Sequence, residues 1–440
     1  MIVQFSQKKI KLFKFCCECG MLTKGSLLKI YKLSLISTKR KGMAMIKTIN
    51  VEPIKFTDKY LSTPFVTKAE VEKAMDYVVE QTRLNMDYFG TKFPWSATKG
   101  LKYPIIENIE WTDGFWTGLL WLCYEYTGDE VFRVRAEENI DSFLHRVENR
   151  IELDHHDLGF LYSISCVAGY KLIGSEKGKR AGILAADKLM ERYNERDGFI
   201  QAWGAVGAKD NYRLIIDCFM NIPLLYWATE ITGDKKYAEA ADKHYEKAAN
   251  HVIRDDASAF HTFYFDCDTG APVGGKTRQG YSDDSAWARG QAWGIYGIPL
   301  NYIQNHNPAS INLFKGMTNY FLNRLPEDDV CYWDLIFGDG SGHSRDSSAA
   351  AVAVCGIHEM LKYLPEVDED KKTYQYAMHR ILRSLIDNYA GTKAEPGNPI
   401  LYHGVYSWHS GKGVDEGNIW GDFYYMEALM RFWKDWNLYW

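Results

Sequence analysis

No stretch of this chain approaches the roughly 20 consecutive apolar residues that a membrane-crossing helix needs. A bilayer-embedded protein is therefore not expected. Charge of one sign is also scarce: a formal −5 over 440 residues gives no reason to expect a nucleic-acid partner. Close groupings of metal ligands are few. Cys16, Cys17 and Cys19 sit together in the basic opening segment, which reads as an extension and not as a metal site. The other six cysteines, Cys123, Cys166, Cys218, Cys267, Cys331 and Cys355, are spread singly, with no CxxC pair or tight Cys/His cluster among them. Structural zinc is not expected, and neither is any cofactor. Most of these cysteines lie in apolar helical sequence and read as small buried residues, not disulfide partners. A reducing cytoplasm is the simplest compartment, with export from another start left open.

The first 47 residues stand apart. They hold eleven Lys/Arg against the single acid Glu18, a net +10 that leaves −15 for the rest. Lys24, Lys29 and Lys32 interrupt every candidate apolar run, and no small-residue cleavage site of a secretory signal follows. Residues 1–47 are expected to be a basic, disordered extension, with Met43 or Met45 as an alternative start. Residues 48–440 are expected to form one domain, a monomer or weak homodimer.

What the chain has in excess is aromatic surface: 15% of residues, including 14 Trp and 29 Tyr, within a 46% hydrophobic composition. That is enough for a sizeable core and for a cleft that stacks against sugars. Six times a polar residue opens a long apolar stretch, at Asp113, Asp157, Asp217, Arg289, Asp346 and Asn418. Between them run charged stretches with apolar residues at three- and four-residue spacing, near 68–86, 132–150, 177–194, 235–253, 310–325 and 372–390. These read as one-sided outer helices, and their apolar partners as inner helices. Leu120-Trp-Leu-Cys-Tyr-Glu-Tyr-Thr-Gly-Asp129 is similar to Leu225-Tyr-Trp-Ala-Thr-Glu-Ile-Thr-Gly-Asp234. In both, glycine ends one helix and Asp starts another. The alternation predicts an all-α fold, an (α/α)6 barrel of six helical hairpins. Its long loops, 257–284, 328–345 and 395–417, are rich in Gly, His, Ser and aromatics, as functional loops are.

Arg213-Leu-Ile-Ile-Asp217-Cys-Phe-Met-Asn221 places an acid among apolar residues at a helix entrance. As an N-cap, Asp217 would be ionised and inert. Dried by Ile215, Ile216 and Phe219, it could instead hold a proton. His155-His156-Asp157-Leu-Gly-Phe presents a second acid in the same position, and a barrel would aim both at one floor. Paired carboxylates of unlike ionisation cleave glycosides. A metal reading of His155, His156 and Asp157 lacks further ligands at suitable sequence spacing. Trp111 and Trp116 offer indole faces, His261 lies in a long loop ahead of Arg278, Gln279, Arg289 and Trp293, and Ser407-Trp-His-Ser410-Gly-Lys412 combines hydroxyls with an ammonium. Cations and hydroxyls over an acidic, aromatic floor suit an anionic sugar.

From about Trp111 onward the motifs resemble the unsaturated glucuronyl hydrolases of glycoside hydrolase family 88. The resemblance rests on His156-Asp157-Leu-Gly-Phe, Ile216-Asp217-Cys-Phe-Met-Asn221-Ile-Pro-Leu-Leu-Tyr-Trp and Gln279-Gly-Tyr…Trp287-Ala-Arg-Gly-Gln-Ala-Trp293. It implies an (α/α)6 barrel that removes the 4,5-unsaturated uronate from lyase-generated oligosaccharides by hydrating a vinyl ether. It implies Asp217 as acid/base and Asp157 as the second essential carboxylate. Trp111, His156, Trp203, His261, Gln279, Arg289 and Trp293 match substrate-contacting positions. Arg278 with Ser407, Ser410 and Lys412 completes the family's pattern for sulfated glycosaminoglycan fragments. The resemblance therefore implies unsaturated, sulfated glycosaminoglycan di- or oligosaccharides, chondroitin-type included, as ligands. The rivals are an unsaturated rhamnogalacturonyl hydrolase acting on pectin fragments, a sugar epimerase using His261 and His403, and a non-catalytic carbohydrate-binding barrel.

Overall fold

Apolar helices alternate with one-sided ones throughout residues 45–440, which the computed structural model describes. All but the last three residues of the expected basic extension lie outside the described residues. The one-sided helices are α1 (Lys68–Phe89), α3 (Glu130–Glu148), α6 (Glu176–Met190), α9 (Lys236–His251), α11 (Ala309–Leu322) and α13 (Lys371–Ser384). The apolar ones are α2 (Asp113–Thr127), α10 (Ala288–Asn305), α12 (Ser347–Leu361), α14 (Ile419–Trp433) and two interrupted helices. The first of these is α4 (Leu158–Tyr162), a π-turn over Ser163–Val167 and α5 (Ala168–Ile173). The second is α7 (Cys218–Asn221) followed by α8 (Pro223–Thr232), where Pro223 ends one helix and starts the next. The Trp121 indole N–H donates to the Ser165 carbonyl (2.8 Å), inside the widened turn.

The two similar junctions behave as their sequence predicts. Gly128 (φ 69°) and Gly233 (φ 76°) end α2 and α8 in the left-handed region. Asp129 then accepts from the Val131 N–H (3.0 Å) and Asp234 from the Lys236 N–H (3.0 Å).

The apolar helices pack on one another. α10 lies against α12, α12 against α14 and α14 against α2, while α4 touches α2 and α7, and α7 touches α10. The one-sided helices cover them: α1 on α14, α3 on α2, α6 on the π-turn after α4, α9 on α8, α11 on α10 and α13 on α12. Gly159 and Gly297 mark the closest approaches. A Cβ on Gly159 would overlap the Asn221 backbone, and one on Gly297 would overlap Phe219. These contacts hold the head of α4 against the last residue of α7, and α7 against the middle of α10.

Two of the expected long loops contain β-hairpins. Strands β1 (Arg213–Ile215), β2 (Thr262–Phe265) and β3 (Pro272–Lys276) form an antiparallel sheet. β4 (Gly404–Ser407) and β5 (Lys412–Glu416) form a separate hairpin. Aromatic and β-branched residues in Thr262-Phe-Tyr-Phe265 favour the extended state, a local signal too short to stand out from its loop. Five of the six singly spread cysteines are buried and all six are free, with Cys267 the half-exposed exception. Among the described residues no helix is long and apolar enough to cross a membrane.

Candidate active site

Asp157 and Asp217 occupy the N-cap positions of α4 and α7, yet neither side chain accepts a capping hydrogen bond. The capping alternative is thereby removed, and both carboxylates turn into a cavity of about 380 Å³. Asn221, the last residue of α7, ties the two helix starts. Its amide nitrogen donates to the Asp217 carbonyl (3.1 Å) and lies 3.4 Å from Asp157 Oδ1. Its carbonyl oxygen accepts the Phe160 N–H (2.9 Å). The Asp157 N–H donates to His155 Nδ1 (3.1 Å), and Trp203 stacks on the His155 ring at 4.6 Å.

His156 stands behind the acids, outside the cavity lining. Its Nε2 lies 3.2 Å from Asp217 Oδ1 and 3.4 Å from Asp157 Oδ1. Neither oxygen is in line with a ring N–H, and Asp217 Oδ1 has no hydrogen-bond partner. The contact is therefore electrostatic rather than a directed hydrogen bond.

Burial pushes the Asp217 carboxyl above its ordinary range, and the neighbouring Asp157 charge adds to the rise, against His156. Burial presses on Asp157 too. There His156, followed by His155, outweighs it and holds the carboxyl below its ordinary range. His156 rises despite burial because it faces both acids. One carboxyl is thus disposed to keep its proton and the other to lose it.

His156, Asp157 and Asp217 can each bring one ligand atom within 4.8 Å of the others. Sequence spacing missed Asp217 as a third potential metal ligand. Its raised pKa favours the imidazolium form, which places positive charge beside both acids.

The remaining wall brings the other sequence candidates together. Trp111, Trp203, His261, Arg278, Gln279, Arg289, Trp293, Ser407, Ser410 and Lys412 all line the cavity. His261 Nδ1 accepts from the N–H groups of Arg278 (2.9 Å) and Gln279 (3.3 Å), so the proton sits on Nε2. Burial and the charges of Arg213, Arg289 and Arg278 push its pKa down to about 3, leaving a neutral donor. Trp111 lies over Trp420 (5.6 Å) and donates its indole N–H to the Tyr406 hydroxyl (2.9 Å).

Ser407, Ser410 and Lys412 share the tip of the β4–β5 hairpin, and Lys412 Nζ rests over the rings of Trp95 (4.3 Å) and Tyr406 (4.2 Å). Arg278 lines the same cavity from the segment after β3. His409 Nε2 meets the Gly280 carbonyl at 2.7 Å and clasps the two segments together.

Arg289 sits at the wall but is engaged by the protein itself. Its guanidinium donates to Asp346 (2.7 Å), Gln279 Oε1 (2.7 Å), the Tyr406 carbonyl (2.8 Å) and the Val405 carbonyl. The rings of Trp287 and Trp420 flank it at 4.5 and 4.9 Å. Asp346, another helix opening, thus supports Arg289, whereas Asn418 does cap α14 through the Gly421 N–H. Glu110, Arg213, Ile215, Trp287 and Tyr406 also line the cavity. Sequence reasoning gave none of these five a binding role, although Arg213 and Trp287 stand inside the motifs.

Residues 87–436 match the profile of Glycosyl Hydrolase Family 88, and the chain belongs to that family. It is 62% identical over 396 residues to the unsaturated chondroitin disaccharide hydrolase of Streptococcus pneumoniae, covering 90% of this chain and 100% of that protein. The crystal structure of unsaturated glucuronyl hydrolase from Streptococcus agalactiae superposes with a TM-score of 0.89 at 62% identity, covering 90% of this chain and 100% of that one. An Asp-to-Asn variant of the S. agalactiae enzyme complexed with dGlcA-GalNAc6S superposes with a TM-score of 0.82 at 58% identity, over the same shares of the two chains.

Proposed function

We propose that this enzyme removes the 4,5-unsaturated uronate from the non-reducing end of lyase-generated chondroitin-type disaccharides, sulfated ones included. The observation that carries the reading is the pair of uncapped helix-start acids with oppositely shifted pKa values around His156. The likeness to streptococcal enzymes so named supports the substrate class. The packing order of the apolar helices supports a closed (α/α)6 barrel.

Asp217 delivers its proton to C4 of the unsaturated ring, and positive charge develops at C5 and the ring oxygen. The Asp157 carboxylate stabilises that charge. A water oxygen bonds to C5, and its surplus proton returns to Asp217. The resulting C5 hemiketal opens to a ketone. This leaves C1 as a hemiacetal, which collapses to an aldehyde and releases the hydroxyl of the next sugar. One water is consumed, and neither carboxylate is left changed.

Arg278, Ser407, Ser410 and Lys412 present two cations and two hydroxyls to the cavity, the chemistry a sulfate ester requires. The test is incubation with unsaturated chondroitin disaccharides while the ultraviolet absorbance of the enol-ether carboxylate is followed. Loss of absorbance is expected. A persistent signal with unsulfated and 6-sulfated substrates alike would refute the reading.

A further inference from the structure

The two segments that carry the proposed sulfate-reading groups are far apart in the chain, and each is pinned by its own neighbours. After β3, the Arg278 N–H donates to His261 Nδ1 (2.9 Å) and the Gly280 N–H to Thr277 Oγ1 (2.8 Å). The Tyr281 N–H donates to Asp334 (2.8 Å), which is fully buried. At the base of the β4–β5 hairpin, Arg289 holds the carbonyls of Val405 and Tyr406. Neither set of bonds reaches the hairpin tip.

At the tip, Ser407 stands opposite Lys412, and the Gly411 N–H donates to the Trp408 carbonyl (3.0 Å), closing a four-residue turn. Its residues divide their work. Ser407, Ser410 and Lys412 line the cavity, whereas Trp408 and His409 are not among its walls. The Trp408 ring instead lies parallel to that of Trp333, 5.1 Å away with 7° between the planes, and His409 meets the same indole edge-on at 5.8 Å. Trp333 is fully buried and makes a fixed seat. His409 Nε2 lies 2.7 Å from the Gly280 carbonyl, 129 residues away in sequence. A carbonyl only accepts, so Nε2 carries the proton. Gly280 is two residues past Arg278, and His409 falls between Ser407 and Ser410.

We infer that Trp408 and His409 are positioning residues for substrate selectivity: docked on Trp333 and Gly280, they hold Ser407, Ser410 and Lys412 in register with Arg278, so that one sulfate ester meets donors from both segments at once. Charge-assisted bonds form at about 2.7–2.9 Å, and a tip free to swing by about 1 Å would keep one set of donors and lose the other. This inference rests on the proposed function for the sulfated ligand. It goes beyond it by placing a determinant of selectivity in two side chains outside the cavity wall.

The test uses three variants. His409→Ala removes the donor, His409→Gln keeps an N–H at similar reach, and Trp408→Ala removes the stack on Trp333. KM is measured with unsulfated and 6-sulfated unsaturated disaccharides. His409→Ala should raise KM for the 6-sulfated substrate roughly 3- to 10-fold, the range of one neutral hydrogen bond, and leave the unsulfated one little changed. His409→Gln should recover most of that loss, and Trp408→Ala should act in the same direction as His409→Ala. With Arg278→Ala already in place, His409→Ala should add almost nothing to the selectivity change, because the two residues act as a unit.

Equal losses on both substrates, no recovery in His409→Gln, or full additivity with Arg278→Ala would overturn the inference. Calorimetric binding of both disaccharides to Asp217→Asn, with and without His409→Ala, separates it from the reaction. A His409-dependent preference for the sulfated ligand, without turnover by wild type, would remove the reaction and leave the latch standing. Turnover by wild type with no such preference would remove the latch alone.

Discussion

The imidazole of His156 stands 3.2 Å from the Asp217 carboxylate and belongs equally to Asp157, 3.4 Å away. One buried imidazole thereby acts on the proton affinity of two acids. It opposes the rise of Asp217 and drives the fall of Asp157.

Replacing His156 by Gln should therefore raise both carboxyl pKa values. The proposed reaction needs Asp157 ionised and Asp217 protonated, so both limbs of the kcat–pH profile should move to higher pH. Steady-state rates across pH 4–9 (on the order of one unit per step) would show it. A profile that keeps both limbs in place would detach His156 from the pair.

Asp217→Asn should lower kcat by about 10²- to 10⁴-fold, the usual contribution of a general acid. Folding should not suffer. An acid whose folded pKa is raised contributes stability that is present below its unfolded pKa and is lost as pH rises through the folded pKa. At neutral pH the native Asp217 is thus a liability, and the amide should melt at the same temperature or higher, with the difference growing as pH increases. Thermal unfolding at several pH values provides the comparison.

The double variant Arg278→Ala, Lys412→Ala should raise KM for 6-sulfated disaccharide by roughly 10- to 100-fold, in keeping with charge-assisted contacts. KM for the unsulfated form should change little. Equal losses on both substrates would show that these cations do not read sulfate.

Asp346→Asn removes the counter-charge of Arg289 at a fully buried position. Breaking such a pair costs on the order of 3–5 kcal/mol. Arg289 also holds Gln279 and the carbonyls of Val405 and Tyr406, so the hairpin should loosen along with the fold. Denaturant unfolding should reveal the stability loss, and KM should rise for sulfated and unsulfated substrates together.

Local pattern carried much of this molecule. The three- and four-residue apolar spacing marked the outer helices, and Thr-Gly-Asp marked two helix stops, because both effects act within a turn or two. The acids were legible for the same reason, as isolated charges at the heads of apolar runs. Long-range pairing was not. That the Arg289 guanidinium is taken up by Asp346, 57 residues on, and by the hairpin, 116 and 117 residues on, has no signature in its own segment. The β2–β3 and β4–β5 hairpins were missed because short strands draw their stability from partners and not from their own composition.

The clasp between His409 and Gly280 separates two kinds of work in space. The two acids of the proposed reaction are anchored in the heads of core helices, where Gly159 against Asn221 leaves no room for change. The groups proposed to meet the ligand's outer substituents hang on a two-stranded finger and the neighbouring strap. Mutational drift can thus rewrite which ornament on the sugar is welcome while the hydration chemistry is inherited intact.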